Sequence, residues 1–188
     1  MIDTPLIHNL EVVEKRLLRE LFRRRLDKLV LEVLRSGYGV EAEGLTYLPY
    51  HGDIYQLVVK LPETSVAVDD LGDGARHALV LAMIAALAHG TALLLEDPES
   101  HQHPGGLATI LDALLSLAKE NELQLFISTH SLELVRLLHV VSDEKGLEMA
   151  AFFLERDRTG KVEARRISPE DTGLLLKMGL DPRFLDII

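Results

Sequence analysis

Two short apolar runs, TALLLE (91–96) and LQLFIST (123–129), read as strands, and a helix-patterned stretch lies between them. In that stretch, 104–120, Leu107, Ile110, Leu111, Leu114 and Leu115 fall on one side of a helix. Apolar strands that alternate with helices imply an α/β class, with a parallel sheet covered on both faces. Both runs end in polar residues: Glu96 and Asp97 after the first, Thr129 and His130 after the second. Two adjacent acids at the end of an apolar run would be costly if buried alone, so a positive group is expected to meet them.

The rest of the chain frames this unit. Residues 8–35 carry an apolar stripe at helical spacing and predict one long helix, stopped by Gly37 and Gly39. Residues 45–49 and 54–61 predict two strands, followed by a short VAV. DLGDGAR then leads into 75–88, apolar on nearly every face and expected to be a buried helix. Ser131 predicts an N-cap for a helix reaching about Leu138. Residues 150–156 and 161–167 predict strands around RTGK, and 169–179 a terminal helix.

Composition sets bounds. With 188 residues there is room for one domain with a proper core. The chain has no cysteine, so thiol chemistry and cysteine-bound zinc are excluded. No apolar run is long enough to span a membrane, and no signal-peptide core is seen, so a cytoplasmic protein without membrane insertion is expected. The net charge of −10 disfavours broad contact with nucleic acid. The segment from Glu11 to Arg35 runs the other way, with eight basic against five acidic residues. Any contact with nucleic acid or a partner protein is assigned to that helix, although its Arg23-Arg24-Arg25 run reads first as a solvated face.

In open α/β sheets, functional residues gather beyond the carboxyl ends of strands, where Glu96, Asp97, Thr129 and His130 are expected. Gly72 to Gly74 would open a helix, whose free N–H groups suit a phosphate. Paired acids suit a hydrated Mg²⁺, and a histidine can hydrogen-bond a phosphate oxygen. Together these point to a magnesium nucleotide. The alternative for His101 and His103 is a metal pair, disfavoured because no third ligand has a fitting spacing.

LGDGAR, sixteen residues, LLLEDPESHQHP and then FISTHS together resemble the second half of an ABC-type ATPase head. The nearest branch is the AAA-like one grouped with the OLD, RecF and SMC ATPases. The resemblance implies a parallel-sheet P-loop NTPase-like fold: a helical arm over 1–40, and over 41–188 a C-terminal lobe that ends in a β-hairpin and a helix. The GLDPRFL ending is also usual in that branch. The resemblance makes Glu96 the Walker B acid that holds Mg²⁺ through water. Asp97 becomes the acid that polarises the attacking water, and His130 the switch histidine at the γ-phosphate. Leu71, Gly72, Asp73 and Gly74 become the signature, which reads the nucleotide of the opposite subunit. Ser100 to Pro104 fall on the D-loop at the dimer interface.

This sequence departs from that pattern. Asp97 stands where Glu is usual and is shorter by roughly 1.5 Å of reach. Gly72 replaces a serine, and Asp73 adds a negative charge. The sequence contains no GxxxxGK[ST], so the P-loop that grips phosphate is absent. The expected partners are therefore ATP, Mg²⁺, a P-loop lobe from the same natural chain or another, and a second copy in a head-to-tail dimer. The expected activity is ATP hydrolysis when so completed, and none by this chain alone. The alternative is a non-catalytic interaction or regulatory module that keeps the ATPase fold.

Overall fold

A computed structural model describes residues 10–51 and 54–179. The expected helix start at residue 8, the 52–53 turn and most of the GLDPRFL ending lie outside them. The chain divides into two compact units, Met1–His130 and Ser131–Ile188.

The first unit opens with two helices rather than one, α1 (Leu10–Arg24) and α2 (Asp27–Tyr38). Arg25 breaks the rod by adopting φ 59°, and Leu26 N–H donates back to Leu21 O at 3.0 Å. The apolar stripe continues through the break because both helices bury it, with Leu18, Leu21, Val30 and Leu34 fully enclosed. The arginine run is solvated as expected, and Arg23 pairs with Glu20 one turn back at 2.7 Å. Gly37 does not stop α2. Gly39 does, in the left-handed region at φ 63°, where it closes the helix through Gly39 N–H to Arg35 O and Val40 N–H to Leu34 O. Gly37 instead permits close packing, since a Cβ there would lie 3.0 Å from Thr109 Cβ.

Strands β1 (Gly44–His51), β2 (Ile54–Lys60) and β3 (Ser65–Ala67) form an antiparallel sheet in chain order. A 3-10 turn, Val68–Leu71, then feeds α3 (Asp73–Leu87). This helix is buried almost all round, including Ala75, Ala78, Ala82, Ala85 and Ala86. Its small side chains let α1, α2 and α4 (Pro104–Glu120) pack on it, and α2 also packs on α4. Leu79, Met83, Ile110, Leu111 and Leu114 make the centre of this helical core.

Strands β4 (Ala92–Glu96) and β5 (Gln124–Ser128) are parallel and in register, from Ala92 opposite Gln124 to Glu96 opposite Ser128. The parallel pairing is as expected, but burial on both faces is not found. Leu95 is buried, while Leu94 and Phe126 are 46% and 52% exposed. Side chains alternate across a strand, so one face of this pair is covered and the other is open.

The second unit begins with Ser131, whose hydroxyl accepts from Leu134 N–H at 3.2 Å to cap α5. That helix runs from Leu132 to Lys145, beyond the expected end at Leu138, because Val141 and Ser142 remain buried. It stops at Gly146, in the left-handed region at φ 63°. Strands β6 (Ala151–Arg156) and β7 (Val162–Ile167) form the expected hairpin. Asp157 holds its turn by accepting from Thr159 N–H and Lys161 N–H at 2.8 and 2.9 Å. These hydrogen bonds, led by the one from the Thr159 hydroxyl, keep its carboxyl below the usual range. Helix α6 (Pro169–Lys177) packs on α5.

Candidate functional site

The parallel register fixes the first part of the site. Glu96 is the last residue of β4 and pairs with Ser128, the last of β5. One step on, Asp97 N–H donates to Ser128 O at 2.9 Å, which carries the junction past the strand ends. Thr129 and His130 follow Ser128 directly, so both acids and the histidine leave the sheet at one edge. Glu96 is exposed and shares strand parity with Leu94; its partner Ser128 shares parity with Phe126. Glu96 therefore belongs to the open face of the β4–β5 pair.

Asp97 turns the chain with φ 42°. Asp and Asn are the non-glycine residues best suited to this left-handed region, because their short polar side chains bond locally. Asp in place of Glu thus has a backbone reason. The loop then tightens through Ser100 N–H to Asp97 O at 2.9 Å and Gln102 N–H to Glu99 O at 3.0 Å. Glu99 accepts a hydrogen bond from the Thr129 hydroxyl, tying the acid loop to the residue before His130. The other Glu99 carboxylate oxygen is buried and has no hydrogen-bond partner.

The residues Leu71, Gly72, Asp73 and Gly74 form the second part. Leu71 closes the 3-10 turn, Gly72 precedes α3, and Asp73 and Gly74 are its first two residues. Gly72 has φ 87° and ψ 153°, a conformation essentially confined to glycine. Gly74 is packed against the acid loop: a Cβ on it would meet His101 O at 2.7 Å. Gln102 donates from Nε2 to Gly74 O at 3.0 Å, and His77 Nδ1 lies 3.3 Å from Ser100 O. Asp73 lies 3.8 Å from His101 Nδ1, so a protonated His101 would partly offset its charge. Arg76, the last residue of LGDGAR, pairs with Asp69 at 3.2 Å.

The two HxH histidines separate in role. His103 caps α4 by accepting from Gly106 N–H at 3.2 Å, and its ring meets Tyr38 edge to face at 5.7 Å. His101 packs edge to face on buried His77 at 5.1 Å. Among the described residues no group of three or more His, Asp or Glu could hold a metal ion. Mg²⁺ keeps several waters and needs only one or two carboxylates, so exposed Glu96 fits a water-mediated contact better than a protein cage.

Sequence reasoning singled out the signature residues, both acids and His130. It missed the parts that join them. Tyr38 donates to Gln102 Oε1 across 64 positions of sequence, and Glu99 reaches Thr129 across 30. A single Tyr, Gln or Glu among commoner residues has no spacing that announces such a bond.

With the geometry in place, comparison with known proteins is informative. The family model described as "AAA domain, putative AbiEii toxin, Type IV TA system" matches residues 15–136. The "Uncharacterized protein MJECL11" of Methanocaldococcus jannaschii is 26% identical over 113 residues, which cover 60% of this chain and 99% of that protein. An SMC ATPase structure, described for its ATP-driven dimerization and DNA-stimulated activation, aligns with a TM-score of 0.51 at 12% identity. It covers 85% of this chain and 95% of its own. The Smc head domain of Pyrococcus furiosus, with an extended coiled coil and bound to the C-terminal domain of ScpA, aligns with a TM-score of 0.53 at 12% identity. That alignment takes in 93% of this chain but 42% of the Pyrococcus chain. The fold is thus a P-loop NTPase-like α/β fold, similar to that of SMC ATPase heads.

Proposed function

Because the chain belongs to this AAA-domain family, we propose that it is the catalytic C-terminal half of an ABC-type ATPase. In this reading it hydrolyses ATP when a P-loop lobe and a second copy complete the site. Residues 1–40 act as its helical arm and 41–188 as the lobe. The observation that carries the reading is the packing of the signature on the acid loop, Gly74 against His101 O and Gln102, beside in-register strand ends bearing Glu96, Asp97 and His130.

Each group then has a task. Glu96 would hold Mg²⁺ through water, on the open face where a nucleotide-bearing lobe would sit. Bound there, Mg²⁺ would supply charge neutralisation for the phosphates. Asp97 accepts the proton of the attacking water from its turn just past the strand ends. His130 donates a hydrogen bond to the γ-phosphate. Leu71, Gly72, Asp73 and Gly74 present backbone N–H groups at the start of α3 to the nucleotide of a facing subunit. The ATP-driven dimerization described for the structurally similar SMC ATPase supports the paired arrangement.

The test is turnover by the chain joined to a P-loop lobe. Asp97→Asn removes the base without changing the backbone preference, and His130→Ala removes the phosphate contact. Loss of a general base typically costs about 10²–10⁴-fold. Both variants are expected to lose at least about a hundredfold in phosphate release while melting like the parent. Unchanged turnover in both would reject these assignments. The absence of GxxxxGK[ST] favours a second reading, a non-catalytic interaction module. Failure of the joined parent protein to hydrolyse ATP would select it.

A further inference from the structure

The Gln102 side chain joins the end of α2 to the start of α3, two helices that also pack on each other. Its amide oxygen accepts from the hydroxyl of Tyr38, the last residue of α2. Its amide nitrogen donates to Gly74 O, in the first turn of α3. A primary amide can accept from a phenol at its oxygen and donate to a carbonyl from its nitrogen at once. The surroundings leave little play. The Tyr38 ring would lie 3.0 Å from a Cβ on Gly106, and Gly74 has the acid-loop backbone at 2.7 Å from its own missing Cβ. His103 meets the Tyr38 ring edge to face.

We propose that Gln102 is a positioning residue that links the end of helix α2 to the signature, so that displacement of α1–α2 changes the setting of Leu71–Gly74. This rests on the reading of Leu71–Gly74 as the element that meets a nucleotide across a dimer. It adds a route by which anything bound along α1 and α2 reaches that contact. The route has two bonds in series, Tyr38 to Gln102 and Gln102 to Gly74. Cutting either one breaks the polar link from α2 to the signature and leaves only the packing of α2 on α3. A local role for Gln102, merely capping α3, would need the second bond alone.

Two variants separate these cases. Gln102→Glu keeps an acceptor for Tyr38 but loses the donor to Gly74. Tyr38→Phe keeps the ring against Gly74, Gly106 and His103 and removes only the hydroxyl. The measurement is amide hydrogen exchange at residues 76–78 of the isolated full chain, without nucleotide, so its outcome does not depend on ATPase activity. A hydrogen bond of ordinary net strength corresponds to about fivefold in exchange. The link predicts exchange faster by about fivefold in both variants, and no further gain in the double variant. Acceleration in Gln102→Glu with Tyr38→Phe at the parent rate would reduce Gln102 to a local cap and overturn the proposal. So would additive effects in the double variant, or no effect in either. A normal melting temperature for Tyr38→Phe confirms that the reading is made on folded protein.

Discussion

At the scale of single residues, backbone conformation explains two departures from the family pattern, Asp97 at φ 42° and Gly72. Gly72 replaces a serine, and its φ of 87° with ψ of 153° is a region other residues avoid. Restoring the hydroxyl with Gly72→Ser should therefore destabilise the isolated chain by about 1–3 kcal/mol, the usual cost of such strain. A urea melt measures this, and an equal or higher midpoint would show that the turn relaxes freely. Tyr38 gives a pH test. Burial pushes its hydroxyl up to about 12, against a partial pull downward from the Gln102 hydrogen bond. The folded chain then keeps, between about pH 10 and 12, a proton that the unfolded chain has released. Stability must fall as pH rises through that window. Comparing melts of the parent and Tyr38→Phe from pH 9 to 12 should show a shallower decline in the variant. Parallel declines would mean that the phenol is solvated.

Among the elements, the signature helix and the acid loop act as one packed pair. Gly74 has no space for a methyl group, because the atom in the way is the His101 carbonyl oxygen rather than a flexible side-chain end. Gly74→Ala should cost about 1–3 kcal/mol, the usual range for overpacking, even with no nucleotide present. Thermal melting of the isolated chain checks it, and an unchanged midpoint would mean that the loop yields. The elements themselves were largely legible in the sequence. The α4 segment follows from apolar periodicity, α3, β4 and β5 from continuous apolar runs, and the Ser131 cap from its residue type. The break at Arg25 was not legible, because no glycine or proline marks it and both helices bury the same stripe. The end of α2 was legible in Gly39, but Gly37, which also reads as a stop, serves the contact with Thr109 instead. The strand-end placement of Glu96, Asp97 and His130 could be read from the order of motifs. The bonds through Gln102 and Glu99 could not, since they depend on distances that only the fold creates.

On the scale of the whole molecule, the open face of β4–β5 decides how the parts are used. Parallel strands are ordinarily covered on both faces, yet Leu94 and Phe126 stand about half exposed here, on the face that carries Glu96. A P-loop lobe seated on that face would bury both residues and bring its phosphates to Glu96. Leu94→Asp and Phe126→Asp should leave the isolated chain within about 0.5 kcal/mol of the parent, as is usual at exposed positions. The same variants should abolish association with a separately supplied P-loop lobe in a pull-down. Undiminished association would place the lobe elsewhere. The most direct test of the account is steady-state phosphate release from Mg-ATP, by the purified chain alone and by the chain joined to a P-loop lobe. In the proposed reading these motifs act on a nucleotide that another element must hold, and loss of such positioning costs many powers of ten in rate. The account predicts release at background by the chain alone and clear turnover once the lobe is joined. Turnover by the chain alone, or none after joining, would contradict it.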